Sequence, residues 1–370
     1  MKLLYIANIR LPTDKAHGIQ IMKTCEAIAK NGISVTLVVP KRINNIHDNP
    51  FVFYNCDRNF TIKYLPNLDL TYLGKYGVRL HSFTFSIISV TYALFNRHDL
   101  VYSRDEMPLV VSSFVYKKCI WEVHDARGNI FMAMLLRRVY ALVTISNGLR
   151  DLYNDKFKGN KPILVAPDGV DIKDFNIHLS KDDCRKILGL SLESKIILYT
   201  GSLLKWKGID TLAQSVKDLS SDTIILFVGG NTDAQREFKK LYHDERIVMI
   251  SQQPPQIIPY YMKSADILVL PNSAKEKVSR AYTSPMKLFE YMASQRPIIA
   301  SKLKSICEIL DDNNSILIEA DNSEELALNI KRIISDKYLE KKIVEKAFKD
   351  VQRYDWYNRG ASIAGFLKKI

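Results

Sequence analysis

Cysteine is scarce in this chain, which has five among its 370 residues. The five follow no paired spacing and stand at Cys25, Cys56, Cys119, Cys184 and Cys307. An odd number of cysteines without metal-type intervals argues against a disulfide framework and against a zinc site. We therefore expect free thiols and a reducing compartment.

Long apolar runs are lacking as well. The longest, Phe83–Phe95, is interrupted by serines and threonines and is shorter than the ~20 residues that cross a bilayer. This run predicts a buried helix. The opening segment Met1–Asn8 is too short an apolar run for a signal peptide. Together with the missing disulfide framework, this indicates a cytoplasmic protein.

Signatures of nucleic-acid binding are also missing, although the chain is basic. The net charge of +13 comes from 53 basic and 40 acidic residues, and +8 of it lies in the first 174 residues. There is no zinc-finger spacing, no aromatic-basic RNA motif and no long run of lysine or arginine. The basic first half favours an anionic substrate or peripheral contact with an anionic membrane over nucleic acid.

What the sequence does contain is an alternation of strands and helices that occurs twice. The predicted strands of the first half are Lys2–Asn8, Ser34–Val39, Ile62–Leu65, Leu100–Tyr102, Ile120–Val123, Ala141–Ile145 and Ile163–Val165. Those of the second half are Lys195–Tyr199, Thr223–Val228, Ile247–Ile250, Ile267–Leu270, Pro297–Ala300 and Ile316–Ile318. Strand, helix and strand at this spacing form right-handed units with a parallel sheet. The pattern predicts two α/β domains, 1–174 and 175–355, with a cleft between them and a final helix over 356–370.

One helix stands out in the second half. Ser284 is a suitable N-cap and Pro285 a suitable first helical residue, so a helix is predicted from there to about Ser294. Gln295-Arg296-Pro297 would end it. The predicted buried stripe consists of Met286, Phe289, Met292 and Ala293.

Lys287 is the unusual residue of this helix. A cation in the first turn opposes the helix dipole, and no acidic residue of that turn offsets it. An anion held by the unpaired N–H groups of the helix start would remove the conflict. Glu290 follows about 4.5 Å further along the axis, where it suits the hydroxyls of a ribose. The alternative, an exposed Lys–Glu pair on an ordinary helix, is equally compatible with these residues.

Other candidate residues follow strand ends, where ligands bind in parallel sheets. Gly18 ends the loop after the first strand and permits close approach of a ligand, although an ordinary loop glycine fits this position too. His124 follows a buried strand and is a candidate for a cleft residue, with a structural histidine as the alternative. Lys207 lies in a loop before a helix, where it meets phosphate or simply faces solvent.

Taken in order, six segments resemble glycosyltransferases of family 4, which are retaining, nucleotide-sugar-dependent enzymes of GT-B fold. These segments are Ala16–Gln20, Glu122–Asp125, Pro167–Asp171, Thr200–Gly208, Ala265–Pro271 and Ser284–Ala293. The last of them resembles a Ser-Pro-x-Lys-x-x-Glu branch of the family. The resemblance implies two Rossmann-like doubly wound domains facing across a cleft, with a C-terminal helix returning to the first domain.

The resemblance also implies roles at matching positions. Lys207 matches a lysine that contacts the donor diphosphate, and Glu290 matches a glutamate that binds ribose. His124 matches a histidine near the transferred sugar, and Gly18 a glycine near the donor phosphate and the acceptor. The residues before Glu290 are expected to bind the diphosphate through backbone N–H groups, and they are Thr283, Ser284, Met286 and, as the one residue without an N–H, Pro285.

Two positions depart from the family pattern. Ser202 stands where an arginine is usual, and Tyr282 stands where the first motif glutamate is usual. One cation and one carboxylate are thereby lost, and Tyr282 is only an uncertain sugar-binding residue. We expect Lys287 to replace the arginine as a phosphate ligand.

The resemblance implies transfer of a sugar from a UDP- or GDP-sugar to a saccharide or lipid-linked glycan, with retention, in cell-surface polysaccharide or lipopolysaccharide biosynthesis. No cofactor and no metal are expected, because Asp69 has no partner for an Asp-x-Asp element. One alternative is a nucleotide-binding protein of GT-B fold that has lost transfer and has a regulatory or scaffolding role. A nucleotide-sugar epimerase is another, but no extra acid or base residues stand in register for it.

Overall fold

The computed structural model describes residues 1–126, 128 and 130–370 and consists of two compact units. The first unit comprises Met1–Asp168 and Trp356–Ile370, and the second comprises Gly169–Asp355. Each unit is built on one parallel sheet with helices between its strands.

In the part of the chain that the structure describes, the first sheet has seven strands and the second has six. The strands of the first unit are β1 Lys2–Ile6, β2 Ser34–Pro40, β3 Thr61–Leu65, β4 Leu100–Ser103, β5 Cys119–Val123, β6 Ala141–Thr144 and β7 Ile163–Val165. Those of the second are β8 Lys195–Thr200, β9 Thr223–Val228, β10 Ile247–Ile250, β11 Ile267–Leu270, β12 Ile298–Ser301 and β13 Ile316–Ile318.

The helices follow in chain order. They are α1 Ala16–Lys30, α2 Pro50–Phe53, α3 Gly74–Phe95, α4 Glu106–Ser112, α5 Ile130–Arg138, α6 Asn147–Lys156, α7 Ile172–Phe175, α8 Lys181–Leu188, α9 Ile209–Gln214, α10 Thr232–Leu241, α11 Ile258–Ser264, α12 Lys277–Ala281, α13 Met286–Ala293, α14 Ser323–Ser335, α15 Lys337–Val351 and α16 Trp356–Lys369.

Both sheets are doubly wound. The strand order is β3-β2-β1-β4-β5-β6-β7 in the first unit and β10-β9-β8-β11-β12-β13 in the second. The order therefore reverses between β1 and β4 and again between β8 and β11. Ligands bind beyond the carboxyl ends of the strands at such switch points. The predicted α/β class with two doubly wound parallel sheets is confirmed.

The boundary between the units differs from the prediction at 174. The structure divides the chain after Asp168, because the next residues pair within the second unit. The Val170 N–H donates to the Tyr354 carbonyl at 3.0 Å, and Ile172 and Phe175 pack against the second core. The turn-rich segment around Pro167 is thus where the chain leaves the first unit.

A buried ion pair joins the far end of the chain to the first sheet. Arg359 of α16 places Nη2 2.6 Å from Glu122 Oε1 on β5, and neither side chain is more than 3% exposed. Burial alone would raise the pKa of the Glu122 carboxyl, but the Arg359 guanidinium, together with hydrogen bonds from His124 and Tyr102, outweighs burial and holds that pKa well below its usual range. Gly360 lets α16 approach α1, since a Cβ there would lie 2.4 Å from the Cβ of Ala27.

Helix α3 corrects one prediction. The run Phe83–Phe95 was expected to be buried, but it belongs to a helix of 22 residues with one buried face and one exposed apolar face. By length and composition alone, Thr71–Phe95 could cross a membrane, and 33% of its most apolar window is buried within the fold. The sequence did not show the second face because apolar residues occur all around this helix.

We expect Arg359→Met to lower the free energy of unfolding of the first unit by about 3–5 kcal/mol, because it leaves the Glu122 carboxylate buried without its partner. Urea denaturation followed by circular dichroism measures this loss. Arg236→Met is the matched control, since Arg236 pairs with Asp233 at the surface and its loss should cost about 1 kcal/mol or less. Equal losses for the two variants would contradict a structural role for the buried pair.

Candidate functional site

The loop after β8 forms the first part of the candidate site in the second unit. It runs from Gly201 to Gly208 and passes the carboxyl end of β11 at the switch point. Gly208 has φ +71°, and a Cβ there would lie 1.7 Å from the Pro271 carbonyl oxygen. Only glycine allows this contact. The contact fixes the neighbouring Lys207 beside the end of the strand.

Helix α13 forms the second part and begins one residue later than predicted. Pro285, with ψ 125°, is the N-cap residue, and the helix itself starts at Met286. Ser284 is therefore not the N-cap, because the extended Pro285 separates it from the helix. Tyr291 anchors the helix to β8, since its hydroxyl oxygen accepts from the Thr200 N–H at 2.9 Å.

Lys287 reaches back from α13 to the same strand end. Its Nζ donates to the Thr200 carbonyl oxygen at 3.1 Å and lies 3.6 Å from the centroid of the Tyr199 ring. The side chain is partly buried. The alternative of an exposed Lys–Glu pair is therefore wrong for Lys287, whose ammonium group is held against β8.

Two lysines meet here in a poorly solvated place. Burial lowers the pKa of Lys207 to about 8. Burial also holds the pKa of Lys287 well below its usual range, with repulsion from Lys207 as a further cause. Attraction to Glu290 acts in the opposite direction and does not restore the pKa of Lys287. A bound anion would stabilise the charged forms of the two lysines, because it offsets both the cost of burying their ammonium groups and the repulsion between them.

The other predicted residues of this unit lie on the same segments. Ser202 is exposed, and its carbonyl oxygen accepts from the Tyr199 hydroxyl at 2.8 Å. Tyr282 follows α12 and is 8% exposed. Thr283 and Ser284 are also buried, and Glu290 is partly buried one turn after Lys287. The segment Tyr282–Glu290 and the loop after β8 thus come together through Lys287.

His124 belongs to the first unit, immediately after β5. Its Nε2 lies 2.9 Å from Glu122 Oε1, and its side chain is 17% exposed. Because Glu122 is held as a carboxylate, Nε2 is the donor and Nδ1 of a neutral ring can accept a hydrogen bond. Gln20 and Arg359 donate to the same Glu122 oxygen. The ring of His124 is therefore oriented by a buried network.

A pocket of about 130 Å³ opens beside His124 in the first unit. Its lining residues are Arg104, Asp105, Glu106, Trp121, Val123, His124 and Asp125. The pocket lies at the switch point between β1 and β4, and burial raises the pKa of the Asp105 carboxyl. Its size and polar lining suit a few hydroxyl groups of a sugar.

Gly18 is the third residue of α1, and the space beside it is already filled. A Cβ at Gly18 would lie 2.3 Å from the hydroxyl oxygen of Tyr54 and 2.7 Å from Cγ2 of Thr13. That hydroxyl donates to the Thr13 carbonyl and accepts from its N–H, both at 2.6 Å. The glycine thus serves the packing of the loop. A contact with donor phosphate stays a prediction.

The structure brings the predicted residues together in two groups, one in each unit. Ser202, Lys207 and the segment Tyr282–Glu290 form the group of the second unit, and Gly18 and His124 belong to the first. The residue that the sequence reasoning missed is Glu122, which orients His124. A single acidic residue within the apolar strand Cys119–Val123 was the signal that could have found it. Among the described residues, no group of three or more His, Cys, Asp or Glu side chains could hold a metal ion.

Residues 180–350, within the second unit, match the model of the family described as Glycosyl transferases group 1. The chain is similar to the uncharacterized glycosyltransferase MJ1607 of Methanocaldococcus jannaschii, with 27% identity over 230 residues. These residues cover 59% of this chain and 57% of that protein, so the match spans little more than half of either. It is also 22% identical over 355 residues to lipopolysaccharide 1,2-N-acetylglucosaminetransferase of Salmonella typhimurium, covering 88% of each protein.

Among solved structures, the chain resembles Anabaena Alr3699/HepE in complex with UDP and glucose. The TM-score is 0.78 at 17% identity, and the match covers 100% of both chains. At this identity the likeness concerns the fold. Together with the two doubly wound sheets, it confirms the predicted GT-B fold class.

We expect inorganic pyrophosphate to raise the melting temperature of the protein at pH 7 and to lose this effect as the pH rises above about 8. The lowered pKa of Lys207 means that its ammonium group loses its proton in that range, well before a lysine of ordinary pKa 10.5. Thermal shift at pH 7, 8 and 9 measures the effect. Lys207→Arg keeps its charge over this range and should lose less of the shift than the wild type, the remaining decline being due to Lys287, and an equal decline in both proteins would contradict the assignment to Lys207.

Proposed function

We propose that the protein transfers a sugar from a nucleoside diphosphate sugar to a saccharide or lipid-linked glycan, with retention at the anomeric carbon. The match of residues 180–350 to group 1 glycosyltransferases supports sugar transfer. HepE is a structural neighbour whose complex contains UDP and glucose, which supports a UDP-sugar over a GDP-sugar as the donor. The name of the Salmonella relative supports a role in cell-surface polysaccharide or lipopolysaccharide biosynthesis.

The observation that carries this proposal is the pair Lys207 and Lys287 at the carboxyl end of β8. When the bond between the anomeric carbon and the diphosphate breaks, negative charge develops on the leaving diphosphate. Cations that are already in place stabilise that charge without reorganisation. The lowered pKa values of both lysines indicate a site that is incomplete without an anion. A diphosphate fits it because it carries more than one negative charge.

Helix α13 supplies the rest of the donor site in this proposal. The Leu288 N–H donates to the Pro285 carbonyl at 2.9 Å, and the N–H groups of Met286 and Lys287, which come before the first helical hydrogen bond, suit phosphate oxygens. The segment Thr283–Met286 leads into this turn. Glu290, one turn further along, accepts hydrogen bonds from the ribose hydroxyls. Lys287 takes the place of the arginine that Ser202 replaces, since its Nζ lies 3.7 Å from where a Cβ at Gly201 would be.

The transferred sugar is assigned to His124 and the pocket beside it. Because Nε2 donates to Glu122, Nδ1 is left to accept a hydrogen bond from a sugar hydroxyl. His124 therefore holds the sugar while the acceptor hydroxyl oxygen forms its bond to the anomeric carbon, the bond from that carbon to the diphosphate breaks, and the hydroxyl proton passes to the departing diphosphate oxygen. We propose that no metal is required, because Lys207 and Lys287 provide the positive charge that a metal ion would provide.

We expect Lys287→Ala and Glu290→Ala each to weaken binding of the preferred nucleoside diphosphate by roughly 10- to 100-fold, the loss of one hydrogen bond to a charged group. Calorimetry with UDP, GDP, ADP and dTDP identifies the base and measures the loss. EDTA should leave the affinity of the wild-type protein unchanged. Lys205→Ala is the control, since Lys205 is exposed in the same turn as Lys207. Affinity near that of the wild type for both variants would refute the donor site.

The proposed function itself is tested by turnover of the sugar donor. Purified protein should hydrolyse or transfer the sugar of the matching nucleoside diphosphate sugar, and NMR should show a product of unchanged anomeric configuration. His124→Ala should lower turnover about 100-fold, because the sugar is no longer held in position, while nucleotide affinity stays within twofold. The exposed His178 provides the control variant, His178→Ala.

Two outcomes would contradict this assignment. Nucleotide binding without any turnover would favour the alternative of a regulatory or scaffolding GT-B protein, for which the replacements Ser202 and Tyr282 are the sequence argument. An unchanged rate in His124→Ala would remove this residue from the reaction.

A further inference from the structure

Helix α3 exposes an apolar stripe that no part of its own unit covers within the described residues. The stripe consists of Tyr76, Leu80, Phe83, Ile87 and Leu94, each 45–83% exposed. Neighbouring members of the stripe are three, four or seven residues apart in the sequence. They therefore lie on one line along the helix. The line is about 27 Å long at 1.5 Å per residue.

The opposite face of the same helix is tied to the first unit by polar contacts. His81 is completely buried, and Arg42 Nε donates to its Nε2 at 2.8 Å. Its Nδ1 then donates to the Leu68 carbonyl at 2.9 Å. Asn8 donates to the hydroxyl of Ser82 at 2.9 Å. Because these bonds would be lost if the helix crossed a bilayer, it lies along the unit with its apolar stripe outward.

The charged residues of the segment 71–98, which contains α3, are of one sign. Residues 71–98 contain Lys75, Arg79 and Arg97 and no aspartate or glutamate. Lys75 and Arg79 lie on α3 itself and are exposed, and Arg97 follows its end and is exposed too. Tyr72 and Tyr76, 78% and 83% exposed, stand near the start of the helix. Tyrosines of this kind, with an apolar ring and a polar hydroxyl, are enriched at membrane–water interfaces.

We propose that α3 docks the first unit onto an anionic lipid surface, with its axis in the plane of the headgroups. A long apolar line with cations beside it is the pattern of helices that lie in the interface. The 28 positions from 71 to 98 contain cations and no acidic residue. Binding in the groove of a protein would not require such a bias, whereas anionic headgroups attract the cations. This inference is independent of the proposed sugar transfer, since the lipid surface need not contain an acceptor.

The experiment is sedimentation of the purified full chain with vesicles of phosphatidylcholine alone or with one third phosphatidylglycerol. We expect binding to the anionic vesicles, weakened by salt. Lys75→Gln with Arg79→Gln should weaken it roughly 25-fold, at about fivefold for each cation near the surface. Phe83→Gln with Ile87→Gln should weaken it at least about tenfold through lost apolar burial.

The matched controls are substitutions of the same kind at exposed residues of the second unit. Leu328→Gln with Tyr338→Gln removes two exposed apolar side chains, 66% and 81% exposed, and should leave binding unchanged. Lys239→Gln with Lys240→Gln removes two exposed cations of α10. This variant should bind the anionic vesicles within about twofold of the wild type. Circular dichroism checks that each variant is folded, and the single changes Phe83→Gln and Ile87→Gln replace the pair where it is not.

Three results would overturn the proposal. The first is a wild-type protein that stays in the supernatant with anionic vesicles at low salt. The second is a dimer in solution that the Phe83 and Ile87 changes dissociate, because the stripe would then belong to a second copy of the chain. The third is vesicle binding that survives extraction with alkaline carbonate, which would indicate insertion across the bilayer instead of docking on it.

Discussion

The burial of two cations, Lys207 and Lys287, beside the carboxyl end of β8 is the constraint on which the candidate site of the second unit depends. Two ammonium groups in a poorly solvated place disfavour each other, and the fold brings them together nevertheless. It does so through firm contacts. Gly208 is pressed against Pro271, and Thr200 is bonded through both of its backbone groups to side chains of α13. Holding positive charge at the switch point of the sheet thus lowers the stability of the folded unit, as is usual for preorganised sites.

The first unit uses the opposite arrangement at its own switch point. There the charges are paired, because Arg359 neutralises Glu122 within the core. The Glu122 oxygen that pairs with Arg359 is also the acceptor for His124, so the partly exposed histidine is oriented by groups that are buried beneath it. A network of paired charges orients a side chain without adding net charge, which suits recognition of a neutral sugar. Two cations brought together supply net positive charge, which suits a phosphate.

How much of the fold and of the candidate site could be predicted depends on how far apart in the sequence the interacting residues lie. Strands such as Ile267–Leu270 are predictable because a short apolar run ended by proline is a local signal. The helix start at Ser284 was missed by one residue because proline fixes φ only, and ψ of Pro285 is set by its surroundings. The bond between Glu122 and Arg359 joins residues 237 positions apart, and no local pattern indicates it. The exposed face of α3 was missed because apolar residues occur all around this helix, and a helix of that kind is expected to be buried.

The two departures from the family pattern can be weighed against this geometry. Losing an arginine at Ser202 would leave a diphosphate with less positive charge, if no other cation reached the same place. Lys287 does reach it, because its first-turn position on α13 and the aromatic face of Tyr199 direct Nζ toward Gly201. Moving the cation from the loop to the helix also ties its position to α13, which is anchored at Tyr291. Tyr282 has no comparable substitute, because it is buried and brings no carboxylate to the site. The cation lost at Ser202 is therefore replaced from α13, whereas the carboxylate lost at Tyr282 is not replaced by that residue.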